Sequence, residues 1–427
     1  MKKILFLILI LRPIIDLAWN NRFLGFNIAD IVGIVLFVSV IALVLLKNKQ
    51  LFYPKSFALF LPIVIFSNMA FNNYLYSYAL FARLISPMIF LFYFWKDENN
   101  LRKIELFMKW FIVVSLIPII LSFLQYFHVI PYTYFDWLPT VGRVGRASGG
   151  YGHPTGLTRI LIFSILFALY FIHLEKSGRM PKWPLVLYIL ATLAAIFISY
   201  HRAAYFIVVI IFILWYGDIS VKYRAKWKMI LFFFAMFILA LFIISKFSPV
   251  KISDVVNLKI ISGLHGRVWK FEEITSVYQK MPLLNQLFGN GGNPYFSKGS
   301  FMYIDNDAVH MLWSYGIIGL FAWLLVVYEF ILSTFRLRNT ATLKNYFFNK
   351  ITRITIVCYI LFGVVVETST LPNFMYIVYS LYVVNNRNII ANCKSDELRT
   401  LDSRLVVSGI MAIALSCCIL YCFLVSV

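Results

Sequence analysis

The chain is a succession of apolar stretches, each about as long as a helix across a bilayer and many of them closed by a short segment carrying lysine or arginine. A span takes about 20 mostly apolar residues. Backbone groups in hydrocarbon must be satisfied internally, which leaves only helices or closed barrels. The sequence carries no alternating ten-residue strands of the barrel kind. Spans are predicted near Ile4–Leu17, Ile28–Leu46, Phe57–Phe71, Tyr76–Trp95, Leu106–Phe127, Thr155–His173, Pro184–Tyr200, Ala203–Tyr216, Met229–Lys246, Ala308–Phe335, Ile351–Val366, Pro372–Val384 and Leu405–Val425. The predicted fold class is all-α, a polytopic membrane bundle of about 12–14 transmembrane helices. Composition agrees, being 61% hydrophobic and 13% charged, where a soluble domain is about half apolar and a quarter charged.

A net charge of +21 would point to nucleic acid in a soluble protein. Here the basic residues fall in alternate loops, as orientation in a bilayer requires. Predicted inner loops carry Lys47, Lys49 and Lys55, then Lys176, Arg179 and Lys182, then Lys222, Arg224, Lys226 and Lys228. Short outer turns such as Phe71–Ser77 and Glu367–Asn373 carry none. The N-terminus is thereby expected inside. Met1–Trp19 reads as a retained first helix, since Arg12 and Asp16 interrupt its apolar stretch and no small-residue cleavage site follows. The five cysteines fall in predicted spans or one inner loop, so neither a disulfide framework nor a zinc site is expected. No nucleic-acid partner and no cofactor are expected.

Lys246–Asn306 is the longest polar interruption and is expected outside. Three parts follow: membrane helices over 1–246, a large external loop over 247–306, and membrane helices over 307–427. Within the loop a helix is predicted to start at Ser262 or Gly263 and to end at Pro282. Arg267, Phe271, Ile274, Tyr278 and Met281 recur at helical spacing and make one stripe. Such a helix lies on the bilayer or on the spans with the stripe inward. Its arginine then sits at head-group level, where a lipid diphosphate lies.

Arginine on the outer face runs against the orientation bias, which draws attention to Arg146, Arg202 and Arg267. Each also admits an ordinary role, snorkelling to the surface or capping carbonyls; Arg143 is read that way. Arg202 lies in the tight turn Ser199-Tyr200-His201-Arg202, too short for much exposure, which favours a buried partner or an anionic ligand. His153 precedes Pro154 at a helix start and either contacts phosphate or faces water. Arg159 lies deeper in the same span, where an ionisable group is functional or tightly paired. Arg12 and Asp16 read as a structural pair at i, i+4.

Glycosyl transfer from a lipid diphosphate needs cations on the departing diphosphate and a base for the acceptor hydroxyl. Asp305, Asp307 and His310 stand together where the loop enters the next span. Asp305 and His310 are the candidate catalytic groups, and Asp307 reads as the helix N-cap. Asp305-Asn306-Asp307 also fits a metal-binding pattern, but three residues are too short a signal and no metal site is expected. Gly289-Asn290-Gly291-Gly292 reads as a plain turn.

Taken in order, these segments resemble the O-antigen ligase and polymerase superfamily of bacterial surface-polysaccharide enzymes. The matching stretches are Arg12-Pro13-Ile14-Ile15-Asp16, Gly145-Arg146 through His153-Pro154-Thr155-Gly156, Ser199-Tyr200-His201-Arg202-Ala203, Gly266-Arg267-Val268-Trp269, and Asp305-Asn306-Asp307 through Ser314-Tyr315-Gly316-Ile317-Ile318-Gly319-Leu320. The resemblance implies a metal-independent, inverting glycosyltransferase of the cytoplasmic (inner) membrane. It would act on an undecaprenyl diphosphate-linked oligosaccharide at the periplasmic or outer face. It assigns the diphosphate to Arg202 and Arg267, with Arg146, His153 and Arg159 as further candidates. Ligases of the family have His-Asn where this chain has Asp305-Asn306, so a polymerase of O-antigen, capsule or exopolysaccharide is expected over a ligase acting on lipid A-core. Membrane lipids and a chain-length regulator protein are the expected partners. The rival from another class is a flippase or transporter of lipid-linked oligosaccharide, which would gather charge at the midplane in repeated halves.

Overall fold

The computed structural model describes residues 2–17, 22–23, 26–27, 31–39, 56–71, 82–95, 100–138, 142–174, 182–217, 272–293, 295–297, 300–302, 304, 306–335, 343–365 and 372–392. The chain is mostly helical there. The helices are α1 (Lys2–Ile15), α2 (residues 31–39), α3 (Phe57–Phe71), α4 (Ile89–Trp95), α5 (Asn100–Val114), α6 (Leu116–Tyr126), α7 (Pro154–Leu174), α8 (Trp183–Ile198) and α9 (Arg202–Gly217). They continue with α10 (residues 272–279), α11 (Leu283–Phe288), α12 (Asp307–Phe335), α13 (Leu343–Val365) and α14 (Pro372–Asn392). Among the described residues three stretches are long and apolar enough to cross a membrane: Asn100–Tyr126, Pro154–Leu174 and Asp307–Thr334. The protein is a membrane protein built on helices.

Among the described residues sheet is limited to antiparallel hairpins, which the sequence did not lead one to expect: β1 (Arg22–Phe23) with β2 (Phe26–Asn27), β3 (Tyr134–Leu138) with β4 (Gly142–Arg146), and β5 (Tyr295–Ser297) with β6 (Ser300–Met302). The predicted spans near Met229–Lys246 and Leu405–Val425 lie outside the described residues, as do Arg267 and Asp305.

The chain divides into two compact units. The first comprises Met1–Val32, Glu98–Ile261 and Ala341–Leu361. Its centre is α7, apolar on all sides and buried from Leu157 to His173, as a helix without a polar face must be. Helices α5, α8 and α9 pack on α7, and α1 packs on α5. Phe107, Phe111 and Phe167 meet edge to face at 5.3–5.8 Å, the arrangement aromatic quadrupoles prefer. Asn100–Tyr126 is one apolar run with a turn at Ser115. Pro118 accounts for the turn, since it has no N–H and its ring clashes with the carbonyl four residues back, that of Val114. The Ser115 hydroxyl lies 2.5 Å from that of Tyr188 on α8.

The second unit comprises Gly33–Asp97, Ser262–Thr340 and Phe362–Val427. Here α3 and α14 pack on α12, and α14 packs on α4. Glu329 of α12 accepts both the backbone N–H (3.0 Å) and the hydroxyl (2.8 Å) of Ser56, and also the Tyr382 hydroxyl. Its carboxylate thus sits at the N-terminus of α3, where the helix dipole favours an anion.

Candidate functional site

In the first unit two stretches singled out from the sequence, Gly145 through His153 and the turn Ser199–Arg202, come together. Helix α8 ends at Ile198, and Tyr200 takes a left-handed φ of +50°, a common helix stop. The β3–β4 hairpin carries Arg146 to this end. The guanidinium donates from Nε to the Ser199 carbonyl (3.0 Å) and from Nη2 to the Tyr200 carbonyl (2.8 Å). It thereby satisfies carbonyls that a helix end leaves exposed. The same guanidinium lies 5.5 Å from the Tyr134 ring, whose other neighbour is the His153 ring at 4.3 Å.

His153 is exposed and caps α7, its Nδ1 accepting the Thr155 N–H at 3.1 Å and lying 2.7 Å from the Thr155 hydroxyl. An Nδ1 that accepts carries no proton, so in the neutral ring the proton is on Nε2. Arg159, one turn further into α7, is buried. Thr158 beside it meets buried His201, Nδ1 to Oγ1 at 2.7 Å. Arg202 is the first residue of α9, two residues beyond the Tyr200 carbonyl that Arg146 holds. Arg143 pairs with Trp137 in the hairpin.

A loop locked onto α6 supports these groups. The buried Gln125 side chain accepts the N–H groups of Ser148 and Gly149, each at 2.9 Å. Gly149 has φ +60°, and a Cβ there would fall 2.6 Å from the Pro118 carbonyl. Tyr151 donates to the Pro13 carbonyl on α1, where Arg12 and Asp16 form the expected ion pair at 2.7 Å. Tyr132 is pushed up to about 12 by burial and by the neighbouring Tyr200 and Tyr126, so its hydroxyl stays protonated. The sequence reading picked neither Gln125 nor His201 as a site residue. Gln125 carried a legible signal, an amide inside an apolar span, where polar groups find partners.

In the second unit the loop's second half joins α12. The predicted stripe holds where it is described: Ile274 and Met281 pack with Tyr295, Ile304 and Trp313, and Tyr278 is buried. Helix α12 is broken at Gly316, at φ +70° and ψ −171°, a region essentially restricted to glycine. The break is covered from the loop. The N–H of Asn290 reaches the Trp313 carbonyl and that of Gly291 the Ser314 carbonyl, both at 3.0 Å. Ser67 of α3 donates to the same Ser314 carbonyl at 2.9 Å and accepts from the Gly291 N–H at 3.1 Å. The Tyr278 hydroxyl donates to the Gln286 carbonyl. The amides of Asn290 and Gly291 thus serve helix carbonyls, in keeping with a structural turn.

One assignment is corrected. The N-cap of α12 is Asn306, whose Oδ1 accepts the Val309 N–H at 3.1 Å. Asp307 is instead the first helical residue, 1% exposed, with Oδ2 2.6 Å from where a Cβ at Gly363 would lie. His310 is buried, its Nε2 3.2 Å from the Ser314 hydroxyl on its own helix. Among the described residues no three His, Cys, Asp or Glu gather as metal ligands would.

No protein-family model and no curated protein matches this chain.

Proposed function

We propose that the protein is a polymerase of bacterial surface polysaccharide, an inverting glycosyltransferase of the O-antigen ligase and polymerase superfamily. It lies in the cytoplasmic membrane with about 12–14 spans and the 247–306 loop outside. The substrate is an undecaprenyl diphosphate-linked repeat unit, and the growing glycan passes to a second lipid-linked unit. The observation that carries this reading is the pair of bonds from Arg146 to the Ser199 and Tyr200 carbonyls, which fix the turn leading into Arg202. The fixed turn gives the start of α9 a set position, and preorganised donors are what a departing anion needs. Arg146 holds the turn; Arg202 and Arg267 bind the diphosphate; His153 and Arg159 line the same end of α7. Asp305 takes the acceptor proton, with His310 the second candidate.

The break in α12 favours one other reading, a lipid-linked oligosaccharide transporter, since such proteins bind substrate at discontinuous helices. Against it, the described carbonyls at the break are bonded to the loop and to Ser67.

The test is reconstitution in vesicles with the lipid-linked repeat unit alone. A ladder of longer lipid-linked chains is expected, without lipid A and in the presence of EDTA. Arg202→Lys keeps the charge but loses the bidentate fork, and is expected to lower ladder formation by about a hundredfold or more. Asp305→Asn is expected to lose the ladder while still binding donor. Movement of the substrate across the vesicle without elongation would make the protein a transporter, and glycan appearing only on added lipid A-core would make it a ligase.

A further inference from the structure

The corner between α10 and α11 has its polarity reversed. Two of its polar side chains turn inward: Gln286 Nε2 donates to the carbonyls of Gln279 (3.1 Å) and Met281 (2.8 Å), and Asn285 Nδ2 to the Asn290 side chain (3.2 Å). Its apolar ones turn outward: Leu283 is 70% and Leu284 59% exposed, beside exposed Pro282 and Val277. A loop facing water is patterned the other way. These hydrogen bonds, with that of Tyr278 to Gln286, hold the leucines out on a rigid corner rather than on a loose tip.

The corner also continues an apolar surface. Phe288, at the end of α11, meets Phe66 of α3 edge to face at 4.9 Å. Phe66 and Met69 are exposed on α3, as are Ile317 and Phe321 on α12 just past the break. Helix α12 is one of the stretches able to cross a membrane, and exposed apolar residues on a membrane-crossing helix are suited to face lipid. Residues 279 to 293 carry one cation, Lys280, and no anion, a balance suited to phospholipid head groups.

We propose that Leu283 and Leu284 are inserted among the lipids of the leaflet bordering the loop, anchoring the loop to the bilayer so that it forms part of the membrane-embedded surface. The inference rests on the membrane reading but not on the glycosyl-transfer chemistry. Lipid recognition here is by acyl chains at the corner and a phosphate-bearing head group at Lys280.

The test uses the full-length protein in phospholipid vesicles, with the photo-crosslinking residue p-benzoylphenylalanine placed singly at Leu283, Leu284, Ser276 and Phe321. Mass spectrometry after illumination is expected to find phospholipid adducts at 283, 284 and 321 and none at 276. Ser276 is exposed on α10, away from the corner. Crosslinks from 283 and 284 to a second copy of the chain, or no lipid adduct there while 321 gives one, would overturn the proposal. Absence of adducts at 321 as well would overturn the membrane reading along with it. Polymer formation is not measured, so the outcome is independent of the proposed enzymatic activity.

Discussion

Two glycines, Gly289 and Gly316, make the close approach that seals the break in α12. Both have positive φ with extended ψ, and a Cβ on either would fall 2.3 Å from backbone of the other's segment. Strain and overlap act together, so Gly289→Ala and Gly316→Ala are each expected to destabilise by more than about 2 kcal/mol. Gly33 is the control: a Cβ there meets nothing within 4 Å, and Gly33→Ala in a helix is expected to be neutral or stabilising by about 0.5–1 kcal/mol. Asn306→Ala should cost about 1 kcal/mol through the lost cap. Thermal unfolding in detergent ranks the four variants; equal midpoints would remove the case for the seal. At this scale the sequence was legible in kind but not in position. Asn306 and Asp307 both suit a helix start, and adjacent residues with similar side chains give spacing no means of telling cap from first turn.

Among the elements, helices were read with ends displaced by a few residues, and the displacement has a cause. Apolar periodicity marks where a helix meets lipid or core, whereas α13 and α14 run on into polar residues, to Leu343 at one start and Asn392 at one end. The hairpins escaped because the β3 and β4 strands are short and β4 is Gly-Arg-Val-Gly-Arg, a composition without strand preference. What stabilises that region is the fit of the 147–153 loop against α6. Gln125→Met keeps the volume but removes the acceptor for two buried N–H groups, and each orphaned group costs about 1–3 kcal/mol. A lower unfolding midpoint is expected, together with loss of polymer, because the loop leads directly from Arg146 to His153. A midpoint unchanged from wild type would mean that water replaces the amide. Of the candidate residues, Arg146 and His153 both border the Tyr134 ring; Gln125 and His201 were visible only as polar residues in apolar surroundings.

For the molecule as a whole, helical membrane character follows from hydropathy, while sidedness rests on the alternation of lysine and arginine. A cysteine at Ser276 is expected to react with a membrane-impermeant thiol reagent in intact cells, and one at Ala225 is expected to be protected. Labelling in the reverse sense would turn the protein over and put the candidate site on the face opposite to the one proposed. The seal at Gly316 bears on how such a protein can change over time. Because Asn290 and Gly291 supply partners for the carbonyls of Trp313 and Ser314, loop and span are not interchangeable modules. A loop transplanted from another protein would leave the recipient's broken helix with bare carbonyls, and an insertion between Gly291 and Trp313 must be absorbed without shifting either end. Changes in what such a protein recognises should therefore arise by substitution on a fixed frame, and chimaeras should fold only when the stretch from Tyr278 to Ile317 is exchanged as one piece.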